Sequence, residues 1–149
     1  MHKRSPLAPD SFPHLPTIDG LGLAVAASGA KYKGRDDLLL MTLCSSATVA
    51  GVFTRSDTAA APVQWCRDRI ISGTARAILT NAGNANAHTG KDGLKIIDKY
   101  VKDLTKKIEC KSNEVLVSST GVIGEKFNPN LIINKYEKLY SKNKNSLLD

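Results

Sequence analysis

Aromatic residues are scarce, 5% of 149 positions with a single tryptophan. That removes the stacking platform on which a single-strand nucleic-acid binder depends, so no nucleic-acid partner is expected. Cysteine is sparse as well. Cys44, Cys66 and Cys110 lie far apart, which excludes a C-x-x-C metal or redox pair and leaves reduced thiols as the plain interpretation. His88 is the one histidine outside the proline-rich lead that carries His2 and His14. With no carboxylate cluster beside it, no metal site is expected. No apolar run approaches the roughly 20 residues that span a bilayer. The start, Met1-His2-Lys3-Arg4-Ser5-Pro6, lacks the apolar stretch of a secretory signal, so a cytoplasmic protein without membrane association is expected. Phosphate-loop and dinucleotide fingerprints are missing too.

What is present describes a globular chain, 42% hydrophobic and 23% charged, long enough for one core-bearing domain. Its net charge of +7 comes from lysines concentrated after Lys91, at spacings that suit solvated helix faces. The first twenty residues hold four of the six prolines, Pro6, Pro9, Pro13 and Pro16, and proline withholds a backbone donor and fixes φ. An irregular lead is expected over 1–19, one α/β domain over 20–142, and a frayed tail over 143–149.

Within that domain, apolar patterning predicts strands over 23–27, 37–43, 48–54, 75–80 and 114–119. Three consecutive strands at the start imply antiparallel pairing there. A short helix is expected over 63–71, with Pro62 at its first position and Gly73 closing it. Leu94, Ile97, Val101, Leu104 and Ile108 recur at steps of three and four, the stripe of an amphipathic helix. A last helix is expected from Pro129 to about Lys142, with Ile132, Tyr136 and Leu139 inward. Together these elements make a mixed α/β sandwich, a sheet with an antiparallel start packed by helices.

Two loops are placed for chemistry, since each leaves an apolar strand and leads to a helix. Ser118-Ser119-Thr120-Gly121-Val122-Ile123-Gly124 follows Val115-Leu116-Val117 and reads as a glycine-punctuated cradle able to turn N–H groups and a hydroxyl toward an anion. It also reads as an ordinary turn. The other, Asn81-Ala82-Gly83-Asn84-Ala85-Asn86-Ala87-His88-Thr89-Gly90, offers three amides. Asn81, Asn84 and Asn86 suit ligand contact and Asx-type loop shaping equally. A Ser/His/Asp system is neither assembled nor excluded by these spacings.

These two segments, with Ala50-Gly51-Val52-Phe53-Thr54 and Ala60-Ala61-Pro62-Val63, resemble the amino-terminal part of the ornithine acetyltransferase family, the bifunctional glutamate N-acetyltransferases of arginine biosynthesis. The match runs from about Gly20 to about Glu125. The resemblance implies acetyl transfer from N-acetylornithine to an enzyme threonine and then to glutamate, with acetyl-CoA as a donor in some members and no bound cofactor. It implies a self-cleaving precursor whose carboxyl-terminal chain begins with that threonine, and an oligomeric intact enzyme. It also implies that Thr120 and Gly121 form the oxyanion hole. The family's Ala-Thr-Met cleavage motif and Thr-Thr-Asp segment occur nowhere in these 149 residues, and His88 stands where the family more often carries cysteine. A chain contributing the hole but inactive alone is therefore expected. The alternatives are a non-catalytic remnant that binds a small acidic metabolite or a protein, and an unrelated hydrolase using His88.

Overall fold

In the computed structural model, which describes residues 6–11, 13–14 and 16–144, four strands form one sheet, and side chains alternate between buried and outward along the first two and most of the third. They are β1 (Leu21–Ala26), β2 (Leu38–Leu43), β3 (Ala77–Asn84) and β4 (Val115–Val122), ordered β1-β2-β3-β4. β1 and β2 pair antiparallel, as do β2 and β3, while β3 and β4 run parallel. A parallel pair needs a crossover, supplied by helix α2 (Gly90–Ile108). Helix α1 (Ala61–Arg69) precedes β3, and two shorter helices, α3 (Asn130–Ile133) and α4 (Tyr136–Lys144), follow β4.

The helices cover one face of the sheet, where Ala24, Leu40, Leu79 and Val115 are buried against Ile97, Val101 and Leu104 of α2 and Leu139 of α4. Leu94 and Ile108, predicted on the same stripe, are half-buried, and Tyr100 joins it as a buried residue. Tyr100 also accepts through its carbonyl a 2.7 Å hydrogen bond from the Tyr136 hydroxyl. On the outer side of α2, Lys95, Lys102 and Lys106 pair with Asp92, Asp98 and Asp103 of the same helix. This is the solvated lysine face that the spacing suggested.

Four expectations are corrected. Residues 48–54 form no strand, contributing only an isolated bridge from Thr48 to Thr74. Both edges of β2 are already occupied, by β1 and β3, and Val52 is left 98% exposed. The two supposed loops are largely strand, since β3 continues through Asn84 and β4 through Val122. Pairing partners at eight successive register positions carry polar and glycine residues into the sheet despite their low strand propensity. The final helix is broken at Asn134-Lys135 into α3 and α4, and α4 reaches Lys144 rather than ending near Lys142. Helix α1 begins at Ala61 and gives way to a tighter 3-10 turn, Ile70–Ser72, before Gly73 closes it with φ of 69°. The lead from Pro6 contains turns and bends only, among the described residues. The rest of the expected frayed tail, 145–149, lies outside the described residues.

Candidate functional site at the open edge of the fourth strand

The parallel register sets Asn81 opposite Ser119, Ala82 opposite Thr120 and Gly83 opposite Gly121. Gly121 has φ of 131°, and a Cβ built there would stand 2.3 Å from the carbonyl carbon of Gly83 and 2.6 Å from the Asn84 nitrogen. Only glycine permits so close an approach of two backbones. Sequence reasoning missed Gly83 as half of this seam, although a glycine inside a strand is itself a signal of close backbone contact.

The edge of β4 is read from its hydrogen bonds. Arg76 N–H donates to the Glu114 carbonyl at 2.8 Å and Ala85 N–H to the Val122 carbonyl at 2.9 Å, so even-numbered residues turn their backbone groups toward β3. The two-residue period of a strand turns the odd-numbered ones outward. At the start of β4 that outward edge is closed by α1. Trp65 Nε1 donates to the Val115 carbonyl at 3.0 Å. Cys66 Sγ accepts the Val117 N–H at 3.2 Å and donates to the Val117 carbonyl at 3.1 Å. Burial pushes the Cys66 thiol up from its ordinary pKa, so it is held protonated and serves as a clamp. Neither side chain was assigned this part from the sequence, because nothing in the local pattern of α1 reveals which strand it lies against.

Beyond Cys66 the edge is open. The N–H groups of Ser119 and Gly121 face outward with no acceptor among the described residues, and Thr120, between them, is exposed with a hydroxyl that makes no hydrogen bond there. A hydroxyl and an adjacent backbone N–H at an open strand edge are two donors free to meet a developing oxyanion.

The asparagines behind this edge are all buried, and each amide is engaged at both ends. Asn81 donates to the Asn84 carbonyl at 2.9 Å and accepts from the Ser119 hydroxyl at 2.6 Å. Asn84 donates to the Glu125 carbonyl at 3.0 Å and accepts from Asn86 N–H at 2.8 Å. Asn86 donates to the Gly93 carbonyl at 3.1 Å and accepts from the Thr89 hydroxyl at 2.8 Å. This chain of amides ties the end of β3 to the end of β4 and to the first turn of α2. Asn86 and His88 adopt positive φ, 46° and 59°, and asparagine tolerates that region better than most residues.

His88 stands apart. It is exposed and lines a hollow of about 390 Å³ with Asp57, Gln64 and Lys91, without a hydrogen bond to any of them. Among the described residues no group of three His, Cys, Asp or Glu side chains is assembled to hold a metal, and no helix is long and apolar enough to cross a membrane.

Residues 22–148 match the ArgJ family. The chain belongs to it. The arginine biosynthesis bifunctional protein ArgJ of Agrobacterium fabrum is 48% identical over 121 residues, which are 81% of this chain and 29% of that protein. The chain thus spans under a third of the length of such curated ArgJ relatives. Among solved structures, ornithine acetyltransferase of Mycobacterium tuberculosis in complex with ornithine superposes with a TM-score of 0.78 at 31% identity, over 83% of this chain and 67% of that one. ArgJ of Bacillus halodurans gives a TM-score of 0.74 at 31% identity, over 80% and 62%.

Proposed function

We propose that this chain is the amino-terminal portion of a glutamate N-acetyltransferase, moving acetyl from N-acetylornithine to glutamate, with acetyl-CoA as a further donor, in the cytoplasm. In this reading the Thr120 hydroxyl and the Gly121 N–H form the oxyanion hole, and a threonine on a carboxyl-terminal chain is the nucleophile, its own α-amine acting as base. The observation that carries it is the open edge of β4, where these two donors stand unpaired while the backbone before them is clamped. Each donor held toward the tetrahedral intermediate contributes on the order of 3 kcal/mol to lowering the barrier. Asn81, Asn84 and Asn86 shape the loops behind the hole and leave substrate contact to other residues.

Two further observations support a two-chain enzyme. The matched stretch fills 29% of a curated relative but 67% of a solved chain, so that solved chain is much the shorter, as cleavage of a precursor requires. The face of the sheet away from the helices is apolar and incompletely covered, with Leu23 50% and Val25 40% exposed and Leu39, Met41 and Ile78 half-buried. A carboxyl-terminal chain, and the oligomer built with it, would bury that face.

The test is to incubate the purified chain with N-acetylornithine and glutamate, alone and with a separately produced carboxyl-terminal chain bearing the threonine, and to follow N-acetylglutamate by mass spectrometry. Turnover only in the mixture is expected. Robust turnover by this chain alone would overturn the assignment of the nucleophile elsewhere. Calorimetric binding of a small acidic metabolite, with no turnover in the mixture, would leave a binding remnant instead.

A further inference from the structure

The segment 27–37 joins β1 to β2 at the end of the sheet where β3 and β4 finish, since Leu38 pairs with Asn81. It is pinned from inside. Asp37, only 5% exposed, accepts from the Ser28 N–H at 2.6 Å and the Ser28 hydroxyl at 2.9 Å. Its carbonyl accepts the Ala82 N–H at 2.8 Å, and the Ser28 hydroxyl accepts the Ala30 N–H at 3.0 Å. These bonds set Lys31 against Gly83, where a Cβ on the glycine would stand 2.8 Å from the Lys31 Cβ. A Cβ on Gly121 would stand 2.3 Å from the Gly83 carbonyl carbon, so Lys31, Gly83 and Gly121 lie in close succession. Gly83 therefore admits two neighbours, the lysine stem and the β4 backbone. The Lys31 ammonium ends 3.9 Å from a carboxylate oxygen of Glu125, just beyond β4. Their side chains are 44% and 56% exposed, and a pair so long and so wet is worth no more than about 1 kcal/mol. The cation is thus held beside the site by its stem and only loosely satisfied by Glu125.

We propose that Lys31 binds the carboxylate of the amino-acid substrate, which displaces the carboxylate of Glu125 while the acyl carbonyl oxygen sits at Thr120 and Gly121. The proposal rests on the acyl-transfer reading of the β4 edge and adds to it the residue that recognises the substrate's charge. In an N-acylated α-amino acid the carboxylate is three bonds from the acyl carbon, so its counter-ion must stand close to the oxyanion donors. The succession from Gly121 through Gly83 to Lys31 puts a cation there. N-acetylornithine and glutamate both carry that carboxylate, so one lysine serves both halves of the transfer. Glu125 gives the ammonium a partner when no substrate is bound, and because that pair is weak, exchanging one carboxylate for another costs little.

The experiment titrates the isotopically labelled chain with N-acetylglycine and with its uncharged counterpart, N-acetylglycinamide. NMR follows the Lys31 methylene next to the ammonium and the Thr120 and Gly121 amides. N-acetylglycine is expected to move all three together, and N-acetylglycinamide to bind about tenfold more weakly and leave Lys31 unmoved. Lys31→Met should weaken N-acetylglycine about tenfold, and Lys31→Arg should restore most of the loss. Glu125→Gln should tighten it about threefold, because the competitor for the ammonium is gone. That opposite sign separates carboxylate exchange from a structural latch, in which either substitution weakens binding. Shifts at Thr120 and Gly121 that are equal for acid and amide, or weaker binding in Glu125→Gln, would overturn the role of Lys31 and leave the hole standing. Shifts at Lys31 alone, with Thr120 and Gly121 unmoved, would overturn the link between them. No shift at any of the three at tens of millimolar ligand would overturn the proposal and count against the hole as well.

Discussion

The two halves of β4 differ in burial and in what meets their outward backbone. From Val115 to Val117 the side chains are buried and the outward backbone is clamped by Trp65 and Cys66. From Ser118 to Val122 the side chains are half-buried or exposed and the outward backbone is free. The first half obeys the rule that buried backbone donors and acceptors be paired. The second leaves donors unpaired where water or a ligand satisfies them, which is affordable only because the seam and the asparagine chain behind it hold the strand in place. The difference teaches that the site is built from withheld hydrogen bonds, supported by others made nearby.

Substitutions that exchange the character of the halves test this contrast. Gly121→Ala is expected to have the largest effect, a loss of more than about 3 kcal/mol in denaturant unfolding, because its methyl would meet the Gly83 backbone at 2.3 Å in a conformation that disfavours side chains. Trp65→Phe should cost about 2 to 3 kcal/mol by calorimetry, since it leaves the buried Val115 carbonyl without its donor and shrinks a buried ring. Asn81→Ala should cost about 2 kcal/mol and increase hydrogen exchange at Ser119 and Thr120, because it removes the brace between the strands. Thr120→Ala should change stability by no more than about 0.5 kcal/mol, as an exposed hydroxyl without a partner. The same variant should lower turnover about 100-fold or more when the chain is assayed with its carboxyl-terminal partner. A large stability loss at Thr120 would erase the contrast, making the second half as structural as the first.

Stability should also fall in alkali. Tyr100 and Tyr136 are buried, and burial raises both phenols above their ordinary value. The unfolded chain loses those protons near pH 10 while the folded one keeps them. Stability is therefore full below about pH 10 and declines above it by about 1.4 kcal/mol per pH unit for each tyrosine. A denaturant midpoint that stays flat from pH 9 to 11 would contradict their burial.

Much of the helix layer was legible in the residues. The stripe of α2 follows from steps of three and four, which put Ile97, Val101 and Leu104 on one face whatever lies opposite. The proline at the start of α1 and the glycine after it mark that element in the same local way. Strand limits were less legible, because a strand ends where its neighbour does. Ser118 to Val122 looks like a loop by composition, and becomes strand because β3 runs beside it to Asn84. Residues 48–54 look like a strand, and fail to become one because β2 has no vacant edge.

The same division holds for the site. By itself, the sequence determined which residues carry the family resemblance, including Thr120, Gly121 and the three asparagines, since residue identity and order are local properties. Tertiary structure decided that the asparagine amides link β3 to β4 and to α2, that Gly83 and Gly121 form a single seam, and that Trp65 and Cys66 close one half of an edge whose other half stays open. Those facts depend on which groups lie within about 3 Å of each other, and segments up to 51 positions apart meet at that distance only once the sheet and its helices have packed.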